Sequence, residues 1–352
     1  MSGRAFVAAL LLLAAVPAGR PAATPLPPPT VDSVGMTVGD MERAVTFYTS
    51  VLTFEKVSDQ EVQGREYELL TGVFGARSRI VRLRLGNEMI ELTEFLAPRG
   101  RPMPADLRAS DLAFQHVAIV VSDMKAAYER LRRFNVAHAS TGPQRLPDWN
   151  PNAGGIQAFY FRDPDGHFLE ILQFPPGKGE RWRANDLVFL GIDHTAIVVS
   201  DTERSLALYR DLLGLAVMGT SENYDTEQEH LNNVFGARLR VTTLRATPNG
   251  LGIELLEYLA PRDGRPAPAD LRANDIAHWQ TTVSVTAAGN LVAGAASRSP
   301  FSLVSPRLAD LSPAGIGIGS GALIRDPDGH GLRIAAKPAP AVGIQPVTRH
   351  ER

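Results

Sequence analysis

Cysteine is absent from the 352 residues of this chain, which excludes disulfide bonds and thiolate metal ligands and disfavours a structural zinc site. An excess of either charge is also missing, since 36 basic residues oppose 38 acidic ones and leave a net charge of −2. Such a balance gives no field that would attract a polyanion, so nucleic acid is not a predicted partner. No uninterrupted apolar run is long enough to form a stable membrane span.

The longest early apolar run, residues 5–16, follows Arg4 and ends in Val16-Pro-Ala18, a small-residue pattern that signal peptidase accepts. We interpret it as a cleaved secretory signal, in preference to a retained anchor, with cleavage at Ala18 or at Ala22-Ala23. Pro21 to Pro29 then forms a stiff, extended linker. Residues 1–29 are therefore predicted to be signal peptide and linker, and the protein to be periplasmic or secreted.

Repeated phrases indicate an internal duplication. Phe74-Gly-Ala-Arg77 returns as Phe235-Gly-Ala-Arg238, and Val120-Val-Ser-Asp123 returns as Val198-Val-Ser-Asp201. Asp163-Pro-Asp-Gly-His167 returns as Asp326-Pro-Asp-Gly-His330. Each half of the chain is therefore predicted to contain two related modules.

The apolar patterns predict a β-α-β-β-β order for the modules, which is an α+β fold. Helix N-caps are predicted at Asp40, Asp123 and Asp201, whereas the fourth module has an Ala- and Gly-rich helix region without an Asp cap. Two domains are expected from the length, at residues 30–178 (modules one and two) and 186–337 (modules three and four). The tail 338–352 is predicted to be disordered.

Paired β-α-β-β-β modules, a Val-Ser-Asp turn before the helix, and Asp-Pro-Asp-Gly-His before a last strand containing Glu resemble the vicinal oxygen chelate superfamily. This superfamily includes glyoxalase I, extradiol dioxygenases and bleomycin-resistance proteins. The resemblance covers about residues 30 to 337. It implies two domains with curled mixed sheets, and it is weak evidence for any one reaction because the scaffold hosts several.

The resemblance also implies that each module offers two inward positions to a metal ion, one on its first strand and one on its last. Alignment of the four repeats places these positions, module by module, at Ser33 and Glu91, His116 and Glu170, His194 and Glu254, and Gln280 and Arg333. Only the two middle modules carry both His and Glu. His278 lies two residues before Gln280 and would replace it if the register slipped, while His167 and His330 are interpreted as turn residues.

The residue types at these positions suit a divalent cation. Carboxylates within apolar strands are costly to bury unless they are paired or bound to metal. Two imidazoles and two carboxylates are suitable ligands for Fe, Mn, Co, Ni or Zn. The predicted metal ligands are therefore His116, Glu170, His194 and Glu254.

Two arrangements of the modules remain open. If sequence neighbours pair, each site has three plausible ligands and the second site contains Arg333. If modules two and three pair, as in glyoxalase I, one site is complete and the other, with Ser33, Glu91, Gln280 and Arg333, is lost. The second arrangement is the simpler one, because the missing ligands are then lost together.

The resemblance implies three possible functions. The first is a metal-dependent isomerase or lyase of the glyoxalase type, in which a small substrate chelates the metal, an enediolate-type anion forms, and Glu170 or Glu254 is the catalytic base. The second is an extradiol-type dioxygenase, and the third is a non-catalytic small-molecule binding protein of the bleomycin-resistance type. A monomer or homodimer is expected.

Overall fold

The computed structural model describes residues 28–182, 187–286, 288–294 and 300–336, which form two mixed β-sheets with helices packed against them. The predicted signal sequence and the predicted tail lie outside the described residues. No described helix has both the length and the apolar character required to cross a membrane.

The first two modules follow the predicted order with additional short elements. Module one consists of β1 (Thr30–Thr37), α1 (Met41–Ser50), β2 (Glu55–Gln63), α2 (Arg65–Thr71), β3 (Arg77–Leu85) and β4 (Glu88–Ala97). Module two consists of β5 (Gln115–Val121), α3 (Met124–Arg133), β6 (Ala137–His138), β7 (Gln144–Arg145), β8 (Gln157–Arg162) and β9 (Phe168–Gln173), followed by a 3-10 turn at Glu180–Trp182.

The last two modules repeat the plan. Module three consists of β10 (Phe189–Val198), α4 (Thr202–Leu206) continued by a π-helical turn at Ala207–Leu212, β11 (Ala216–Asn223), α5 (Thr226–Asn232), β12 (Arg238–Arg245) and β13 (Gly252–Ala260). Module four consists of β14 (Trp279–Val285), α6 (Ala288–Gly294), β15 (Ser302–Leu303), β16 (Ala309–Asp310), a 3-10 turn at Ser312–Ala314, β17 (Ser320–Arg325) and β18 (Gly331–Ala336).

The helix starts confirm the predicted caps. Asp40, Asp123 and Asp201 have extended backbones, and each accepts a hydrogen bond at its side chain from the backbone N–H three residues later. This bond satisfies one of the N–H groups that a helix start leaves without an intrahelical partner. The three caps fix where each first helix leaves its first strand.

Modules pair across the sequence and not with their neighbours. One sheet, which we call the 1/4 sheet, has the order β15-β17-β18-β14-β1-β4-β3-β2, with β16 on β17. The other, the 2/3 sheet, has the order β11-β12-β13-β10-β5-β9-β8-β6, with β7 on β8. The arrangement with modules two and three in one sheet is thereby confirmed. Each predicted domain, 30–178 and 186–337, contributes one module to each sheet.

Alternation along the strands separates the core that packs against α1 and α3 from the opposite face of each sheet. In β5, Val117, Ile119 and Val121 belong to the buried cluster that includes residues of α3. Ala118 and Val120 face the other way and pack with Leu172. The face shared by Ala118 and Val120 is also the face on which His116 lies.

Candidate metal centre

Four predicted ligands meet on the face of the 2/3 sheet that bears His116. Glu170 Oε2 lies 3.1 Å from His116 Nε2 and 3.7 Å from His194 Nε2. Glu254 Oε2 lies 3.3 Å from His194 Nε2. His116, Glu170 and His194 each offer one ligand atom to a group whose atoms are within 4.8 Å of one another, and all three residues are buried.

Strand register explains this convergence. β5 and β10 are antiparallel neighbours at the centre of the sheet, and each has the last strand of its own module as a parallel neighbour on its other side. Ala118 is the partner of Glu170, and Ala196 is the partner of Glu254. Each Glu is therefore paired across the strands with the residue two positions after the His of its own module, and its side chain lies on the same face as that His. The two-fold relation between the modules then brings both pairs together.

His116 is buried without a partner for either ring nitrogen. Nδ1 and Nε2 form no hydrogen bond with the residues that the structure describes, because the short approach of Glu170 lacks hydrogen-bond geometry. The ring packs near Phe114 and Tyr160, with centroid distances of 5.5 and 4.8 Å. An unsatisfied buried imidazole costs free energy comparable to a lost hydrogen bond. A cation bound between Nε2 and the carboxylates would satisfy that nitrogen and pair the carboxylates, so these residues fit a metal ion.

His194 is oriented by the neighbouring carboxylate of Asp193. Its Nδ1 lies 3.0 Å from Asp193 Oδ2, which leaves Nε2 toward the glutamates. Arg245 donates to the same Asp193 oxygen at 2.7 Å, and Trp182 Nε1 donates to the other at 3.2 Å. Burial alone would lower the pKa of His194, but Glu254, Asp193 and Glu170 outweigh it and raise the pKa to about 9. A carboxylate behind an imidazole is a common arrangement for a metal-binding His.

Sequence reasoning missed Asp193 because it assumed strict alternation along the strand. The register between β10 and β5 shifts between Ile192 and His194, so the strand bulges there. A bulge changes the direction of a side chain, and adjacent residues then reach the same region. The one available signal was the Asp-His pair itself, since module two has Gln115 before its His.

Glu254 is held differently from Glu170. Thr243 Oγ1 donates to Glu254 Oε1 at 2.7 Å, which fixes one oxygen and leaves Oε2 near His194. Its side chain is 18% exposed, compared with 8% for Glu170. Glu254 is therefore the carboxylate with more access to the cavity.

A cavity of about 250 Å³ opens beside the four residues. Its walls come from modules two and three and combine apolar and neutral polar side chains with the charged Asp193 and Arg245. The loop after β7 covers one side, where Trp149 stacks on Tyr224 with ring centroids 4.4 Å apart. Asn150 Nδ2 donates to Asn223 Oδ1 at 2.7 Å, which ties the same loop to β11.

The corresponding place in the 1/4 sheet contains an ion pair. Arg333 donates to both Glu91 oxygens, at 2.7 and 3.1 Å, and its Nε donates to Thr282. Gln280 packs over Gly35, where a Cβ would lie 2.8 Å from its Cγ. The remaining cavity is only about 20 Å³. In this sheet, the guanidinium of Arg333 stands where the 2/3 sheet has the carboxylate of Glu254.

The register confirms that the four residues of the 1/4 sheet were aligned correctly. Gly35 pairs with Glu91 as Ala118 pairs with Glu170, so Ser33 has the place of His116. Gln280 pairs with Gly331 as His194 pairs with Gly252. Ser33 and Gln280 therefore replace the two histidines.

The turn histidine of module two is structural. His167 Nδ1 lies 2.9 Å from Asp163 Oδ2, and its Nε2 lies 2.9 Å from the carbonyl oxygen of Ile276. In module four, His330 Nε2 lies 2.8 Å from the carbonyl oxygen of Val198. His167 therefore contacts the segment before β14, and His330 contacts β10.

Comparison with known proteins agrees with this architecture. Residues 30–171 and 191–334 match the model of the Glyoxalase/Bleomycin resistance protein/Dioxygenase superfamily, and the chain belongs to that superfamily. Glyoxalase I from Zea mays has a similar fold, with a TM-score of 0.52 and 15% identity, over 88% of this chain and 92% of that one.

Curated relatives match over less of this chain. A 2-epi-5-epi-valiolone epimerase from Actinomyces sp is 35% identical over 42% of this chain and 80% of its own length. A lactoylglutathione lyase from Salmonella typhimurium is 26% identical over 39% of this chain and 86% of its own length. Isomerase and lyase chemistry is thus represented among the relatives.

Proposed function

We propose that the protein is a metal-dependent enzyme of the glyoxalase type that moves a proton beside a carbonyl group of a small, oxygen-chelating substrate. The main support is His116, a buried imidazole with both nitrogens unpartnered, placed beside Glu170 and His194 at the wall of a cavity. The names of the relatives, an epimerase and a lyase, support this reaction class over ring cleavage.

The four residues suit a divalent cation of intermediate hardness. His116, His194, Glu170 and Glu254 would hold it, and two imidazoles with two carboxylates suit Fe, Mn, Co, Ni or Zn. When bound, the cation would act as a Lewis acid on the carbonyl oxygen of the substrate. Asp193 keeps the ring of His194 in place, and Arg245 and Trp182 in turn hold Asp193.

Glu254 is our choice for the proton-transferring base. Glu170 Oε2 lies near both imidazoles, which is the position of a permanent ligand. Glu254 lies outside the close group of three, and Thr243 holds only its Oε1. Its Oε2 could take a proton from the carbon beside the carbonyl and return it. Because the proton is removed and then returned, the substrate is neither oxidised nor reduced overall.

Metal content provides the test. We expect the purified full-length chain to contain about one divalent ion per chain by elemental analysis, consistent with one complete ligand set. His116→Ala and His194→Ala should each abolish it, whereas His278→Ala, at a buried histidine directly before β14, should not. A chain that binds no divalent ion after dialysis against each candidate metal would instead support the binding-protein alternative.

The base assignment requires a second measurement. Glu254→Gln should retain metal through His116, His194 and Glu170. It should lose the exchange of hydrogen with solvent at the substrate carbon beside the carbonyl, which NMR in D2O would follow. Glu170→Gln should lose metal. If the two variants exchanged these phenotypes, Glu170 would be the base.

Export is a separate part of the proposal and depends on Arg4 and the apolar run 5–16. N-terminal sequencing of protein recovered from the periplasm or the medium should begin after Ala18 or after Ala23. Recovery of the intact N-terminus in the cytoplasm would contradict export without affecting the proposed chemistry.

A further inference from the structure

We infer that the cavity accepts an uncharged, hydroxyl-rich carbonyl compound and excludes substrates that carry phosphate, carboxylate or a peptide-like carrier. This inference rests on the proposed function and names the class of substrate for the same site. It follows from the charge of the walls, from one unpartnered acceptor, and from a comparison with the filled cavity of the 1/4 sheet.

The wall charges are unfavourable for an anion. Among the described residues that line the cavity, Arg245 is the one guanidinium, and Asp193 and the Gly250 carbonyl already bind it. Glu170, Glu254 and Asp193 add negative charge. A cation bound by the four ligands would be largely neutralised by the glutamates. A phosphate or carboxylate would thus enter without a partner, and burial of an unpaired charge is strongly unfavourable.

Gln228 provides the acceptor. Its side chain lines the cavity, the residue is only 3% exposed, and Oε1 has no hydrogen-bond partner among the described residues. Its Nε2 donates to Asn232 Oδ1, and Asn232 Nδ2 donates to the Tyr258 hydroxyl at 2.8 Å. This chain of bonds fixes the amide and leaves its oxygen buried and unpartnered at the cavity wall. A buried acceptor is satisfied by a donor such as a substrate hydroxyl.

Asn223 extends the polar wall. Its Oδ1 accepts hydrogen bonds from Asn150 Nδ2 and from Ser221 Oγ, at 2.7 and 2.9 Å. Both of these bonds are made at Oδ1, so the Nδ2 group of the same amide is the donor that Asn223 brings to the wall. An acceptor on Gln228 and a donor on Asn223 suit hydroxyl groups, which both donate and accept.

The 1/4 sheet shows what fills this place when the site is lost. Tyr67 is the third residue of α2, as Gln228 is the third residue of α5, and Tyr67 lines the small cavity there. Its ring stacks on Phe95, with centroids 6.3 Å apart. Gln228 therefore leaves room and places an amide oxygen where its counterpart places a stacked aromatic ring.

Cavity size limits the part of the substrate that can be buried. A volume of about 250 Å³ lies below the range of roughly 300–1,000 Å³ that holds drug-sized ligands. A compound of one small ring fits this limit better than a tripeptide adduct. Proton exchange at its carbon beside the carbonyl would need no oxidant, reductant or leaving group.

Calorimetry with matched probes tests the inference on the full-length, metal-loaded chain. The probes are dihydroxyacetone and its phosphate, which differ only in the charged group, together with 2-keto-myo-inositol and the hemithioacetal of methylglyoxal and glutathione. We expect each neutral probe to bind at least ten times more tightly than either charged one. Tighter binding of a charged probe, or no binding of either neutral probe, would overturn the inference.

Two substitutions at Gln228 examine the acceptor itself. Gln228→Met retains the side-chain volume without the amide oxygen and should weaken the binding of 2-keto-myo-inositol at least tenfold. Gln228→Tyr should abolish that binding. Both variants should retain the metal, since Gln228 is not among the predicted ligands. Glu227→Gln, at the adjacent position of α5, is the control and should bind like the wild type. Unchanged affinity in Gln228→Met would refute the role of the acceptor.

The outcomes also separate this inference from the proposed function. Selective, Gln228-dependent binding of neutral probes by a chain that holds no metal would contradict the proposed function alone. Stoichiometric metal together with preferred binding of the phosphate or the hemithioacetal would contradict only the substrate class.

Discussion

The guanidinium of Arg333 and the carboxylate of Glu91 form a bidentate ion pair in which both side chains are at least 98% buried. Removing one partner of such a pair leaves the other charge without compensation, at a cost of about 3–5 kcal/mol. Arg333→Met should therefore lower the free energy of unfolding in urea by about that amount.

The double variant is the control for this prediction. Glu91→Leu combined with Arg333→Met replaces both charges by apolar groups and should recover most of the lost stability. Metal content should remain at the wild-type level in both variants, because neither residue lies in the 2/3 sheet. A loss below about 1 kcal/mol in Arg333→Met would show that the ion pair is not the main stabilising contact there.

Asp193→Asn should weaken metal binding about 10- to 100-fold, because the carboxylate that orients His194 becomes a neutral amide. Competition with a chelating dye would measure the change. Asp123→Asn is a suitable control, since Asn caps a helix about as well as Asp does. Equal affinity in Asp193→Asn and the wild type would remove Asp193 from the site.

Stability should depend on pH through the buried pair of Asp163 and His167. Burial alone would lower the pKa of His167, but Asp163 outweighs it and raises the pKa overall. Burial alone would raise the pKa of Asp163, whereas His167 lowers it overall. The contribution of His167 to the free energy of unfolding is therefore complete below its unfolded pKa of about 6.5. It is lost as the pH rises through the higher pKa of the folded protein. That of Asp163 is present above its unfolded pKa of about 3.9 and lost as the pH falls through its lower folded value.

The variant that tests this dependence is His167→Gln. Its loss of unfolding free energy relative to the wild type should be greatest between about pH 4 and 6.5 and should shrink toward pH 9. Urea titrations at pH 5.5 and 9 would measure it, with exposed His138→Gln as the control. An equal loss of unfolding free energy at pH 5.5 and at pH 9 would mean that His167 is not charged in the folded protein at pH 5.5.

Trp149→Ala should loosen the loop that covers the cavity, since its stack on Tyr224 is lost. Aromatic pairs contribute about 0.5–1.5 kcal/mol beyond area burial, which corresponds to a roughly 2- to 13-fold weaker affinity for 2-keto-myo-inositol if the loop closes over it. Amide hydrogen exchange at residues 150–155 should become faster, while metal content stays constant. Phe74→Ser, at a side chain that is 91% exposed, is the control. Unchanged exchange would show that Asn150 holds the loop without the stack.

The parts of the fold that were predictable carry strong local signals. The Asp caps have a defined hydrogen-bonding role, and the first and last strands of each module are apolar because they are buried in the sheet centre. β2 was not located, because this edge strand is mostly exposed and charged and shows no apolar alternation. β11, α2 and α5 were missed as well, since short, partly exposed elements give little periodic signal.

The same contrast holds for the site. Repetition identified His116, His194, Glu170 and Glu254, because equivalent positions of related modules carry the same residue types. Asp193 depends on a bulge, and Gln228 on a short helix, so neither follows from a period along the strand. Local patterns locate residues within a module, but contacts that arise from irregular backbone require coordinates.

The nested pairing of modules also sets an order of events for a chain that is made from its N-terminus. All strands of the 2/3 sheet lie between Gln115 and Ala260, so that sheet is complete as soon as this continuous stretch has emerged. β1 instead pairs along one edge with β14, which begins at Trp279, so this pairing cannot form until module four has been made. Because distant pairings form slowly, we expect the ligand-bearing half to fold early and the ends of the chain to close last.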